Sequence, residues 1–368
     1  YGGLIEAGLP SIRSGHMALP EYVRHFKPDA TVEELAMPSS LNPIVIQNVL
    51  RDKLDFNGVV VTDASHMVAM TSAMKRSDML PTAIAAGCDL FLFFNDPEED
   101  FNWMMEGYKK GIITEQRLEE ALTRILGLKA SMGLHKKAKT EILQPKEEAM
   151  AKIGTEENKA VAPEISNKAI TLVKNKQELL PISPEKHKRV LLVEVKGPES
   201  AYGKIMAAMT SGKKKPIELM KEKLEKEGFE VEIYESAIDK LLKLPPQEMM
   251  AAVMNVYAQK RPIADLTNNY DVIINIADVA PSTDQRIQWN PSKGTPDIPF
   301  YVNEVPTIFI SLQCPFHLAD VPQVKTYINA YDNHEHTLSA IVEKLLGRSE
   351  FTGVDPVDSF CGLIDTQM

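Results

Sequence analysis

Short runs of hydrophobic residues in the N-terminal third of the chain alternate with amphipathic segments and predict strands followed by helices. The predicted strands lie near residues 11–15, 58–62 and 90–94. The run at 90–94 is apolar almost throughout, which is typical of a parallel strand covered on both faces. A closed barrel of this type needs eight strand–helix units in about 250 residues. The sequence therefore predicts the last three units of a (β/α)8 barrel, whose upstream half belongs to the same or another chain.

Capping residues predict where the helices of this region begin and end. Asn42 is a predicted N-cap, and Pro43 is the first residue of the helix that follows it. Gly87 predicts the end of a helix that precedes the third strand. Residues 17–40 are rich in Pro and Ser, show little periodicity and predict a long loop. Two further helices are predicted at residues 97–110 and 114–133.

The C-terminal half of the chain predicts a second α/β domain. Residues 135–167 are rich in Lys, Glu and Ala and predict an exposed helical linker. Strands are then expected at residues 170–173, 189–195, 230–234, 272–276, 307–312 and 326–330, with helices between them. This order predicts an open, mostly parallel α/β sandwich domain. The predicted organisation is residues 1–134 as the barrel part, 135–167 as the linker and 168–368 as the sandwich.

Composition narrows the classes of function. The formal net charge of −10 at a pI near 5.4 argues against nucleic-acid partners. No apolar run approaches the roughly 20 residues of a membrane span. The three cysteines form no CxxC pair, which argues against a zinc site or a disulfide framework. No glycine pattern of a nucleotide-binding loop follows a first strand. The compartment is left open between cytoplasmic and secreted or cell-envelope.

Asp63 is the strongest candidate for chemistry. It follows the run Val59-Val60-Val61, so its carboxylate is expected at the carboxyl end of a buried parallel strand, where α/β barrels place active sites. The alternative is an N-cap for the next helix, which is the commoner role of an Asp after a strand. The following Ser65-His66-Met67 lacks the Glu or Gln of a capping box, which favours a catalytic carboxylate.

Each of the other candidate residues is weighed against a structural role. His16 ends the first predicted strand and is either a substrate ligand or a buried structural histidine. His66 is interpreted as a structural residue or as one that supports the site without contacting substrate, and Met67 is more often a core residue than a binding element. Ser65 lacks the GxSxG context of a serine hydrolase. The polar loop at residues 282–289 is either a ligand edge or plain surface.

Six segments in order resemble the family 3 glycoside hydrolases. FNGVVVTDASHM resembles the family's nucleophile strand, and GHMALP resembles the end of the preceding barrel strand. AIAAGCDLFLF and ITEQRLEEALTRILGLKASMGL resemble the segments that complete the barrel. KAITLVKNKQELLPI resembles the start of the second domain, and GRSEFTGVDPV a short segment near its end. The chain most resembles the β-N-acetylhexosaminidase branch that keeps a second domain. This resemblance implies a bacterial source.

The resemblance implies a retaining hydrolase that removes terminal β-linked N-acetylglucosamine from oligosaccharides or cell-wall fragments, without a cofactor. Asp63 would be the nucleophile, and His16 and Met67 would bind the sugar. The branch takes its general acid/base from a KHFPGHG-type loop, which this sequence lacks. The other branch takes a Glu from the second domain, where Asp284 stands near the corresponding place and is not assigned.

One expectation follows from this departure, and two alternative functions stay open. The acid/base lies in an upstream segment, so these residues alone should hydrolyse β-N-acetylglucosaminides very poorly. A β-glucosidase or β-xylosidase of the same family is the alternative within enzymes. A non-catalytic carbohydrate-binding remnant of the fold is the alternative outside them.

Overall fold

A computed structural model describes residues 1–197, 214–258, 260, 262–279, 286–287 and 295–368 of the chain. The chain divides into two compact units, Tyr1–Ala149 and Met150–Met368. Within the described ranges, no helix combines the length and the apolar character that crossing a membrane requires.

The first unit contains a parallel sheet of three strands in the order β1-β2-β3. The strands are β1 Ser11–Ser14, β2 Val59–Ala64 and β3 Leu90–Leu92. In the register, Ser14 lies beside Thr62 and Ala64 beside Leu92. This places the carboxyl ends of the three strands along one edge of the sheet. The prediction of parallel strands joined by helices is confirmed.

The remainder of this unit is largely helical. The α-helices are Gly2–Glu6, Pro20–Phe26, Val32–Ala36, Val68–Thr71, Arg76–Ala85, Pro97–Lys109, Glu115–Ser131 and Lys139–Ile142, and the helix Lys146–Ala151 crosses the boundary to the second unit. A π-helix spans Ile44–Lys53, and 3₁₀ turns span Ser39–Leu41 and Leu134–Lys136. Ile46 and Leu50 of the π-helix pack on Ile12 and Val60 of the sheet and form the core of this unit.

The prediction of a long loop at residues 17–40 is wrong, because two helices lie within it. Pro20 stands at the first position of one helix, where its missing N–H costs nothing. Thr31 opens the other through a capping box with Glu34. Pro and Thr thus act here as helix starts. The next helix begins one residue later than predicted, with Pro43 as its N-cap and the Asn42 side chain accepting from the Ile44 N–H.

Within this unit, the predicted strand at residues 90–94 is only partly covered. Leu90 is 42% exposed, and Phe93 and Phe94 are 58% and 61% exposed. Residues of β1 likewise alternate between exposed and buried. The coverage of the 90–94 run on both faces in a whole barrel stays a prediction.

The second unit contains a sheet of six strands in the order β4-β9-β8-β7-β5-β6, in which only the β4–β9 pair is antiparallel. Its strands are β4 Thr171–Asn175, β5 Arg189–Val195, β6 Glu230–Ile233, β7 Val272–Ala277, β8 Thr307–Ser311 and β9 Thr326–Asn329. Its helices are Glu156–Ala169, Pro216–Lys226, Ala237–Leu242, Pro246–Ala258, Ala264–Thr267 and Glu335–Leu345, with 3₁₀ turns at His317–Ala319 and Asp365–Gln367. Every residue of β7, β8 and β9 is buried. The predicted open, mostly parallel α/β sheet is confirmed.

Candidate active site

Asp63 lies one residue before the end of β2, at the edge where the three parallel strands of the first unit finish. Val59, Val60 and Thr62 before it are buried. The Asp63 side chain keeps 17% of its surface exposed. The carboxylate of Asp63 therefore lies at the solvent-accessible end of a buried strand. This is the position that the sequence predicted for Asp63.

Two donors hold this carboxylate in its charged form. Asp63 Oδ1 accepts a hydrogen bond of 2.8 Å from the Ala64 N–H, and Oδ2 forms an ion pair with Arg13 Nη1. The Ala64 N–H and the Arg13 guanidinium hold the pKa of the Asp63 carboxyl below its usual range. An ionised carboxylate at neutral pH suits a nucleophile and not a general acid.

Arg13 was not singled out in the sequence, although the fold places it beside the candidate. Arg13 of β1 pairs in register with Val61, two residues before Asp63 on the same face of β2. Side chains placed diagonally on neighbouring strands are within reach of a long residue such as Arg. A signal existed in the sequence, since Arg13 alternates with buried residues in β1, but its partner depended on the strand register.

His16 is buried, and both of its ring nitrogens are engaged. Nε2 lies 3.0 Å from the Ala64 carbonyl oxygen, and Nδ1 lies 2.7 Å from Ser40 Oγ. A carbonyl only accepts, so Nε2 carries the proton, and in the neutral ring Nδ1 accepts from the Ser40 hydroxyl. His16 therefore ties the end of β1 to the residue that follows Asp63.

The segment after Asp63 presents two exposed side chains and one buried one. Met67 is 43% exposed, and the exposed His66 ring lies 5.9 Å from the ring of Phe93 at the end of β3. Ser65 is fully buried, donates from Oγ to the Phe93 carbonyl and accepts from Arg76 Nη2 at 3.0 Å. This structural engagement agrees with the sequence argument against a serine nucleophile.

At the opposite edge of the sheet, Asp89 precedes β3 as a buried anion among cations. Its carboxylate contacts Arg51 at 3.0 Å, Arg117, and Arg124 at 3.4 Å, and accepts from the Val60 N–H at 2.9 Å. Arg51 and Arg117 come from different helices. In barrel enzymes the amino end of the strands serves stability, while the carboxyl end serves catalysis. We interpret this cluster as structural.

Other candidates from the sequence carry no described site. Asp284 and most of the loop at 282–289 lie outside the described residues. The described part of the chain contains no group of three or more His, Cys, Asp or Glu side chains arranged to hold a metal ion.

Comparison with known proteins places this geometry in a family. Residues 1–128 match the sequence profile of the glycosyl hydrolase family 3 N-terminal domain. A β-N-acetylglucosaminidase/β-glucosidase from Cellulomonas fimi is 35% identical over the whole chain, which spans 61% of that protein.

Solved structures agree. A β-glucoside phosphorylase, BglX, superposes with a TM-score of 0.82 at 38% identity over all of this chain and 60% of its own. A family 3 β-N-acetylglucosaminidase from Paenibacillus sp. superposes with a TM-score of 0.63 at 20% identity, over 96% of this chain and 59% of its own, and shares the fold. The chain thus spans about 60% of the length of these relatives. Residues 1–128 thus carry the N-terminal domain of glycoside hydrolase family 3, and the whole chain, with its barrel-type first unit and its open α/β second unit, is similar to members of that family.

Proposed function

We propose that the chain is part of a retaining β-glycosidase in which Asp63 is the nucleophile. The observation that carries this proposal is an accessible carboxylate at the carboxyl end of β2 whose pKa is held low. An Asp63 oxygen attacks the anomeric carbon while the bond from that carbon to the leaving oxygen breaks. Water then attacks the same carbon, loses a proton to the base and releases Asp63.

The general acid/base is proposed to come from a segment outside this sequence. The chain lacks a KHFPGHG-type loop, and His16, at the same strand ends as Asp63, is engaged through both ring nitrogens. Proton transfer typically contributes 10²–10⁴-fold to the rate. These residues alone should therefore form the glycosyl-enzyme slowly at best.

The preferred substrate is proposed to be a terminal β-linked N-acetylglucosaminide, as in cell-wall fragments of a bacterium. The dual name of the Cellulomonas fimi relative supports both this substrate and a β-glucoside. Met67 and His16 stay predictions as sugar-binding residues. Met67 is exposed and close to Asp63 in the sequence. His16 would contact a sugar through the edge of its ring, or through Nδ1 if its hydrogen bond with Ser40 Oγ were broken.

A test uses the full-length enzyme and an aryl 2-deoxy-2-fluoro-glycoside, which slows release of the covalent intermediate. Digestion and mass spectrometry should find the added sugar on the peptide that contains Asp63. Asp63→Asn should abolish both labelling and turnover, whereas Asp52→Asn, at an exposed position on the π-helix, should leave them unchanged. Labelling elsewhere, or an active Asp63→Asn enzyme, refutes the assignment, and absence of any turnover favours a non-catalytic remnant.

The substrate is tested by rival aryl glycosides under identical conditions. A kcat/KM for the N-acetylglucosaminide well above those for the glucoside and xyloside supports the first substrate. The reverse order establishes the β-glucosidase or β-xylosidase alternative without touching the role of Asp63.

A second candidate function is transfer of the sugar to phosphate. BglX, which aligns over the whole chain, is described as a phosphorylase, and Arg13 places a largely exposed guanidinium on the carboxylate that would carry the sugar. In this step a phosphate oxygen attacks the anomeric carbon, and the bond to Asp63 breaks, which yields a glycosyl phosphate. Product analysis in phosphate buffer decides: glycosyl phosphate supports transfer, and free sugar alone supports hydrolysis.

A further inference from the structure

The residue after β3, Phe93, has a backbone conformation that is unfavourable for its side chain. Its φ is +58°, in the left-handed region that Gly and Asn adopt readily and bulky residues rarely do. β3 ends at Leu92, and a plain turn at this position needs no aromatic ring. Strained residues persist where the surrounding structure fixes them, and they cluster at functional sites.

A buried polar network fixes this turn. The Phe93 carbonyl accepts from Ser65 Oγ, and the Ser65 N–H donates to the Leu92 carbonyl at 2.9 Å. Arg76 donates to both Ser65 oxygens, at 3.0 and 3.2 Å, and grips the carboxylate of Asp100 through two bonds of 2.8 and 2.6 Å.

The same carboxylate reaches back to the turn. Asp100 is 1% exposed and accepts from the Asn95 N–H at 3.0 Å, two residues beyond Phe93. The turn is therefore held from both sides, by Ser65 at Phe93 and by Asp100 at Asn95. The conformation of Phe93 is imposed by these contacts, because its side chain contributes no bond to them.

The turn places Phe93 at the same strand ends as the candidate site. Ala64 of β2 pairs in register with Leu92 of β3. Phe93 follows Leu92, so it lies at the same edge of the sheet as Asp63, the residue before Ala64. The ring is 58% exposed and lies 5.9 Å from the His66 ring at an angle of 35°. His66 lies three residues after Asp63, so the two rings pair next to the strand end that carries the carboxylate.

We propose that Phe93 is a substrate-positioning residue, whose ring packs against the apolar face of a sugar ring or an aryl leaving group at Asp63. A pyranose presents C–H groups on its faces, and a rigid aromatic ring offers a large apolar surface at low entropic cost. This inference rests on the proposed function of Asp63 and adds a residue that fixes the orientation of the substrate.

The test compares variants of the full-length enzyme on an aryl β-glycoside. Phe93→Asn and Phe93→Gly remove the ring and suit the left-handed backbone, so Tm should stay equal or rise. KM should rise roughly threefold to tenfold, since an aromatic contact contributes about that much to binding. Phe93→Tyr keeps the ring and should keep the KM. Phe94→Asn, at a neighbouring exposed phenylalanine, is the matched control.

Two results overturn the proposal. One is a KM within twofold of wild type in both ring-free variants, whatever their Tm, since the ring is then a packing element. The other is an equal rise of KM in Phe93→Tyr. Asp63→Asn is measured in parallel: an active Asp63→Asn enzyme refutes the proposed function, whereas an inactive one with unaffected Phe93 variants refutes only this inference.

Discussion

Replacing Asp89 with Asn should destabilise the first unit strongly while leaving its chemistry intact. The Asp89 side chain has no exposed surface, and the Arg51 and Arg117 side chains are 8% exposed each. Asn keeps one acceptor but removes the charge that neutralises these guanidinium groups. Removing one partner of a buried ion pair costs about 3–5 kcal/mol, because the remaining charge stays buried without compensation. Tm should fall by roughly 8–15 °C.

Urea unfolding, followed by tryptophan fluorescence, measures the decrease in the free energy of unfolding. Trp103 packs in the first unit and is one of two tryptophans in the chain, so replacing the other with Phe isolates its signal. Asp96→Ala is the control, because Asp96 caps a helix at an exposed position and its loss costs about 1 kcal/mol.

If Asp89→Asn lowered the free energy of unfolding by less than about 1 kcal/mol, the reasoning would be refuted, since the arginines would then have found other partners or water. KM should also be unchanged. The Asp89 carboxylate bonds the Val60 N–H, and Val60 lies three residues, or about 10 Å, before Asp63 along β2. A change in KM would contradict the separation of this structural edge from the edge that carries Asp63.

Three further predictions concern single groups. Arg13→Gln removes a cation from Asp63, so the pKa of that carboxyl rises and the acid limb of kcat/KM moves to higher pH; a limb at unchanged pH would contradict this. The pKa of the Asp63 carboxyl is lower in the folded state than in the unfolded state. Its contribution to stability is therefore fully present above the unfolded-state pKa and is lost as the pH falls through the folded-state pKa. Gly58→Ala should cost about 1–3 kcal/mol in urea unfolding, because a Cβ there would lie 2.5 Å from a backbone carbonyl oxygen. Burial raises the pKa of the Cys88 thiol to about 12, so a thiol reagent at pH 8 should label the exposed Cys361 and reach Cys88 only after unfolding.

The positions of the strands and most helix ends were predictable because they depend on neighbouring residues. Val59-Val60-Val61 predicts a buried strand by its own composition, and Gly87 has the positive φ that ends a helix. The place of Asp63 followed from the same local reading, since a residue after a buried parallel strand stands at its carboxyl end. The same kind of signal misled at residues 17–40, where Pro20 and Thr31 start helices and do not mark a loop.

By itself, then, the sequence determined the α/β character of both units and the candidate carboxylate, because periodicity and capping act over a few residues. The tertiary structure decided which charges meet. Arg13 reaches Asp63 only through the register of β1 on β2, and His16 closes onto Ala64 across 48 residues. The left-handed Phe93 is likewise set by Ser65, 28 residues away. These contacts join distant parts of the chain, and no local pattern encodes a distance between strands.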